Sequence, residues 1–292
     1  MYTLLLLPIC MAVLSGCGNG NGESDAYGNF EAIEVVVSAQ GEGELITFDL
    51  EEGEELDQSH IVGLIDTSLL SLQKKQLQAQ LQASSANISG QEKRIQAQEN
   101  TRKNLIKQQK RLQTMNQEEA VTDQDLDNIT TAVMVAQKNL EALKQQEKSL
   151  VFQRKAIQAQ LAQLQDRIDH CVIKNPIKGT VLEKYMEEHE LVITGKPLYK
   201  IANLEELILR AYISGAQLPQ IEIGQEVKVI VDKDKTHNQS FPGIITWIAS
   251  QAEFTPKMIQ TKEERVSQVY ALKVKVKNNG TLKIGMPGEV RF

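Results

Sequence analysis

Aromatic residues are scarce in this 292-residue sequence, at 4%, a level that fits a chain with much coiled coil. Proline is absent between Pro8 and Pro176, so no proline ring breaks a helix in that interval. Cysteine is limited to Cys10, Cys17 and Cys171. Cys10 falls in a cleavable leader and Cys17 at its end, so no pair remains for an intrachain disulfide. An exported chain of this kind must be held by its core or by partners. The four histidines, His60, His170, His189 and His237, fall in no zinc-binding spacing, and Cys171 has no cysteine partner. A Gly-x-Ser-x-Gly nucleophile elbow is missing. The glycines of residues 18–22 lack the Lys-Ser/Thr of a phosphate loop. A net charge of −6 gives no reason to expect nucleic acid, which needs a basic face. These absences argue against an enzyme, and no catalytic residue or metal site is expected. Glu51, Glu52, Glu54 and Glu55 cluster on a turn, where a solvated charge run is the simpler reading.

Long hydrophobic runs are also missing. The apolar stretch within residues 4–14 is too short to span a bilayer as a mature helix. It ends in Leu14-Ser15-Gly16-Cys17. Small residues before a cysteine fit the pocket of a lipoprotein signal peptidase, which makes Cys17 the expected lipidation site. Several acyl chains on one cysteine exceed the two signals that stable anchoring needs. Met1-Tyr2-Thr3 carries no Lys or Arg, which leaves a start further upstream open. Residues 18–28 are rich in Gly, Asn, Ser and Asp and read as a tether.

What is present is helical periodicity. Thr67-Ser68 are good helix-capping types, and apolar residues then step by four and three through Leu70, Leu77, Leu81, Ile88, Ile95, Leu105 and Leu112. A second arm runs from about residue 123 to 169 through Leu126, Val133, Leu143, Leu150, Ile157, Leu161 and Ile168. The two seams match as an antiparallel pair when residue numbers sum to 238, which sets Leu70 beside Ile168, Leu81 beside Ile157 and Leu112 beside Leu126. Each arm is then on the order of 70 Å long. Ser84 with Arg154 and Gln91 with Glu147 form polar layers in this register. They are expected to snorkel to water at a thin seam.

The flanks of the hairpin repeat one another. Gly43, Leu45, Leu56 and Ile65 recur as Gly179, Val181, Val192 and Ile201, each 136 residues later. The turn Glu52-Gly53-Glu54 is answered by Glu188-His189-Glu190, and Ser59 by Gly195. Two halves of one small β-module therefore enclose the helices. Beyond residue 204, short strand patterns punctuated by Pro219, Pro242, Pro256 and Pro287 predict a small β-barrel, with a helical turn within 218–223.

The repeated halves resemble a lipoyl/biotinyl domain. In such carriers a hairpin between the halves presents the cofactor lysine; here the coiled coil replaces it, so no cofactor is expected. The order of parts resembles that of the HlyD-like periplasmic adaptors, also called membrane fusion proteins. The resemblance covers nearly all of the mature chain. It rests on residues 41–66, on Asn175-Pro176-Ile177-Lys178-Gly179-Thr180-Val181, and on a barrel ending of Phe254-Thr255-Pro256-Lys257, Gln260-Thr261, Glu264-Arg265 and Gly285-Met286-Pro287-Gly288. A fourth signature lies at the hairpin tip, where Arg111, Met115, Thr122 and Asp127 match the family's Arg, Leu, Ser and acidic or amide positions. Met for Leu and Thr for Ser depart from that pattern.

The resemblance implies an elongated α+β fold: a split lipoyl/biotinyl β-sandwich with an inserted long antiparallel coiled-coil hairpin, then a small β-barrel. The expected segments are a lipoprotein signal peptide (1–16), lipid anchor and tether (17–30), first lipoyl half (31–66), hairpin (67–170), second half (171–203) and barrel (204–292). The family's further membrane-proximal domain is not expected. The implied function is a periplasmic, lipid-anchored adaptor, with the inner membrane favoured, forming a homo-oligomer of six. It would link an inner-membrane transporter, the ABC type favoured, to a TolC-like outer-membrane channel docked by the tip. The alternatives are an adaptor of a proton-driven pump and a non-transport scaffold. Read from the residues alone, Arg111 and Asp127 cap the turn between the helices, with Met115 packed beneath.

Overall fold

The computed structural model describes residues 24–117, 120–234, 237–254 and 268–292. The lipidation box at 14–17 and most of the barrel-ending motif, at 255–265, lie outside them. The chain divides into two compact units, one of them Glu34–Ala202 and the other drawn from both flanks of that segment.

The first unit holds the split module. Strands β2 (Glu34–Ser38), β3 (Gly43–Phe48), β4 (Glu55–Leu56) and β5 (Ile61–Ile65) precede the helices; β6 (Val172–Lys174), β7 (Gly179–Lys184), β8 (Leu191–Val192) and β9 (Pro197–Ala202) follow them. They form two four-stranded sheets, β2-β9-β7-β4 and β6-β5-β3-β8. Each sheet takes two strands from either side of the hairpin, so neither half closes alone. The offset of 136 holds for strand starts: β3, β4 and β5 return as β7, β8 and β9.

The halves also clasp each other symmetrically. Gly53 N donates to Val181 O, and His189 N donates to Leu45 O, both at 2.8 Å. Val181 N reaches Glu54 O at 2.9 Å, and Leu45 N reaches Glu190 O at 3.0 Å. The left-handed positions obey the same rule: Gly53 (φ 88°) pairs with His189 (φ 68°), and Ser59 (φ 67°) with Gly195 (φ 88°). Between the sheets lie Leu45, Leu56, Val62 and Ile65 from one half and Val181, Val192, Leu198 and Ile201 from the other, all buried. Full burial of an aliphatic side chain of this size stabilises by roughly 1.5–3 kcal/mol before conformational entropy is set against it.

Helices α1 (Ser68–Gln117) and α2 (Asp123–Asp169) form the hairpin. The side chain that serves the start of α1 is that of Asp66, not Thr67 or Ser68. Its carboxylate accepts from Ser68 N at 2.8 Å and Ser68 Oγ at 2.6 Å, and these bonds hold it below the usual aspartate range. The arms pair antiparallel, and the cross-arm bonds fall on both sides of the predicted sum, from 234 for Gln91 with Leu143 to 243 for Glu99 with Lys144. Lys74 with Gln165, Gln109 with Thr130 and Asn116 with Asp123 are hydrogen-bonded and each sum to 239.

The seam is thin: Ile88, Ile95, Ala136, Leu140 and Leu164 are its buried apolar residues. The polar layer at Gln91 corrects the sequence reading. Gln91 does not snorkel; it is 3% exposed, and its Nε2 donates across the seam to Leu143 O at 2.9 Å. Seven residues on, Gln98 Nε2 repeats the bond to Ala136 O at 3.3 Å. A buried amide that finds a carbonyl avoids the desolvation penalty an unpaired one would carry. No helix among the described residues is long and apolar enough to cross a membrane.

The second unit is a barrel. Strands β10 (Glu206–Ser214), β11 (Glu226–Asp232), β12 (Asn238–Ile248), β13 (Glu253–Phe254), β14 (Gln268–Lys277) and β15 (Pro287–Arg291) come after the module. With β1 (Ala26–Glu31) the sheet order is β10-β1-β15-β11-β12-β14-β13, and β10 pairs with β14 to close the ring. The helical turn expected within 218–223 is a 3-10 turn at Leu218–Gln220. Strand β1 is a correction: the sequence reading gave residues 17–30 to a tether. It lies between β10 and β15 and supplies Ala26 and Phe30 to the barrel core.

Candidate docking site at the hairpin tip

α2 opens on a capping box. Thr122 takes an extended conformation (φ −82°, ψ 153°) and accepts from Asp125 N at 3.3 Å. The Asp125 carboxylate reaches back to Thr122 N at 3.2 Å and to Thr122 Oγ1 at 2.6 Å. These bonds hold Asp125 below the usual aspartate range, and a negative charge at a helix N-terminus also complements the helix dipole. Asn116 Nδ2 donates to Asp123 Oδ1 at 3.4 Å, across the tip. Ala120 N donates to Met115 O at 2.9 Å and closes the end of α1.

Thr122 thus has a structural task, and the two residues expected to cap the turn do not perform it. Arg111 and Asp127 are exposed. Among the described residues neither forms an ion pair or a side-chain hydrogen bond. Met115 is not packed beneath the turn but stands 42% exposed. Capping is carried instead by Asp125, which the sequence reading passed over. Its signal was present in the Thr-x-x-Asp spacing ahead of an apolar period, a variant of the capping box. The tip therefore presents an exposed cation, anion and thioether, unpaired among the described residues, on a scaffold locked by Thr122, Asp125 and Asn116.

The other sequence candidates are accounted for locally. Cys171 is 1% exposed, and its Sγ donates to Arg167 O at 3.3 Å. Burial, then the Asp66 charge, pushes its thiol up and away from reactivity. The Glu51–Glu55 turn is not merely a solvated run. Glu52 Oε1 accepts from Lys184 N at 3.0 Å and Glu54 Oε2 from Glu51 N at 3.0 Å. Among the described residues no group of three or more His, Cys, Asp or Glu is placed to hold a metal ion.

No protein-family profile matches the chain. A UPF0194 membrane protein of Yersinia pseudotuberculosis is 27% identical over 297 residues, covering 91% of this chain and 88% of that relative. Among solved structures, the periplasmic adaptor protein EmrA aligns with a TM-score of 0.50 at 15% identity, over 92% of this chain and 97% of that one. The membrane fusion protein Spr0693 from Streptococcus pneumoniae R6 aligns at 0.55 and 16%, over 91% and 99%. This chain has the fold of the membrane fusion proteins, the periplasmic adaptors that its sequence resembles.

Proposed function

We propose that this protein is a non-catalytic periplasmic adaptor of an export system, held to the membrane by lipid on Cys17. It assembles into a ring, of six copies as the resemblance implies. It links an inner-membrane transporter, the ABC type favoured, to a TolC-like outer-membrane channel. In this reading residues 1–16 are the leader. The segment 34–202 is the split module with its hairpin, and 203–292, with β1, is the barrel. One observation carries the proposal. The module closes on itself with a long hairpin where a carrier would present its cofactor lysine, and that hairpin ends in exposed Arg111, Met115 and Asp127, whose side chains form no ion pair or hydrogen bond among the described residues. These three would contact the channel.

Arg111→Asp tests the docking. Export should be lost while the melting temperature stays unchanged, because Arg111 is exposed and forms no ion pair or side-chain hydrogen bond among the described residues. Export that survives this change would remove the tip assignment. A scaffold with no transport role is separated by gene deletion: unchanged export and unchanged drug tolerance would favour it. Cys17→Ser should release the protein from the membrane fraction. Co-purification of an ABC ATPase, as opposed to a proton-driven pump, would decide the transporter class.

A further inference from the structure

The two halves of the module share a backbone but not a surface. Strands β4 and β8 are equivalent, and each is the edge of its sheet. At β4 the charged residues Glu55 and, just past the strand, Asp57 flank the buried Leu56; at β8 Leu191 and, just past the strand, Ile193 flank the buried Val192. Leu191 is 74% exposed and Ile193 67%. The backbone bonds that hold the two turns match pair for pair, so the fold does not require the change from charge to hydrocarbon. Charged side chains on an edge strand protect it from pairing with other chains, and apolar ones leave it open. The faces behind these edges diverge in the same sense. Lys200, on β9, is held by Glu34 at 3.4 Å and Glu183 at 3.3 Å; its equivalent on β5 is Leu64.

Charge identifies the occupant. Residues 34–66 contain ten Asp and Glu and no Lys or Arg, whereas residues 171–202 contain four Asp and Glu and five Lys. One of these, Lys196, places its ammonium 3.5 Å from Leu191 O, beside the apolar edge. A contact between the second half of one copy and the first half of the next joins opposite charges, and such head-to-tail contacts make a ring where the rotation between copies closes. We propose that the β8 edge, with Leu191, Ile193 and Lys196, is the surface on which a second copy of this chain docks through Glu55 and Asp57 of its acidic half. The choice of a second copy rests on the self-assembling adaptor reading.

The test is sedimentation of the full chain in detergent. Leu191→Glu with Ile193→Asp installs what the equivalent turn already carries, so the fold is kept and the melting temperature checks it. Self-association should weaken by ~100-fold, since each apolar side chain lost from a contact is worth on the order of tenfold. Glu55→Lys should weaken it from the other side, and Glu55→Lys with Lys196→Glu in one chain should restore it. Wild-type mass in the Leu191/Ile193 variant would overturn the surface and leave the adaptor reading standing. Loss in that variant with no effect of Glu55→Lys would overturn the head-to-tail occupant. A wild-type chain that is monomeric at every concentration would overturn both the surface and the self-assembly it rests on.

Discussion

The first and second halves of the split module are two solutions to one backbone. Where they agree, the fold is making a demand. Both carry aliphatic residues at the inward positions 45 and 181, 56 and 192, 62 and 198, and 65 and 201. Both place a carboxylate at 52 and 188, and both require positive φ at 53 and 189 and at 59 and 195. Where they differ inside, the difference is compensatory. Phe48 and Tyr199 share the centre with ring centroids 6.2 Å apart, tilted by 55°. Their equivalents are Lys184 and Gly63, and a Cβ on Gly63 would lie 2.9 Å from the Phe48 ring. The pseudo-symmetry breaks there: glycine stands where a larger residue would crowd Phe48, and the Lys184 ammonium lies 5.6 Å from the centre of the Phe48 ring.

The largest effect should come from emptying that centre. Tyr199 is fully buried, and its hydroxyl donates to Asn175 Oδ1 at 3.1 Å. Burial pushes its phenol far above the usual tyrosine range. Asn175, itself buried, donates through Nδ2 to Asp57 O at 2.9 Å and so ties the halves together. Tyr199→Ala should cost about 3–5 kcal/mol by denaturant unfolding. Tyr199→Phe keeps the volume and strands the Asn175 carbonyl oxygen, for about 1–3 kcal/mol. Equal losses for the two would mean that the hydrogen bond, and not the filled centre, joins the halves.

Much of this was legible from residue spacing, because it rests on periodicity and repetition. The offset of 136 needs no coordinates, and the seam of leucines and isoleucines gives the antiparallel pairing of the arms, around which the cross-arm bonds fall. The missed strand β1 shows where spacing fails. Gly28 and Asn29 read as loop residues, yet Gly28 lies opposite Ala211 and Gly288 in the barrel, where a Cβ would sit 1.9 Å from Arg210 O. Glycine there answers a close approach by a strand 182 residues away, which local sequence cannot report. Gln91 fails for a related reason: whether an amide snorkels or bonds depends on a carbonyl of the opposite arm. At the tip the expected caps do not act as caps. Asp125 caps, and Arg111 and Asp127 are left outward.

The handedness of the turns gives a sharper comparison with a smaller effect. Gly53 and Gly195 have positive φ, and a Cβ on either would meet nothing within 4 Å. Gly53→Ala should therefore report conformational strain alone, about 1–2 kcal/mol. Ser59 already sits at φ 67° where its equivalent is glycine. Ser59→Gly should stabilise by about 0.5 kcal/mol, the relief being partly offset by the greater freedom of glycine in the unfolded chain. Thermal unfolding of the two variants should move in opposite directions. Movement in the same direction would show that the two half-turns are not under the same constraint.

The smallest effect is expected at the paired carboxylates, and it asks whether equal geometry means equal energy. Glu188 Oε1 accepts from Phe48 N and Glu52 Oε1 from Lys184 N, each at 3.0 Å. The bonds are related by the pseudo-symmetry, but the first is part-buried and the second exposed. Water replaces a lost acceptor readily at an exposed amide and poorly at a sheltered one. Glu188→Ala should then cost about 1 kcal/mol and Glu52→Ala about half that. Glutamine at either position keeps an acceptor oxygen and should recover most of the loss. An equal cost at both sites would mean that burial contributes nothing at this turn. The apolar edge next to Glu188 would then have to be covered by something other than this chain's own fold before it could shelter the bond.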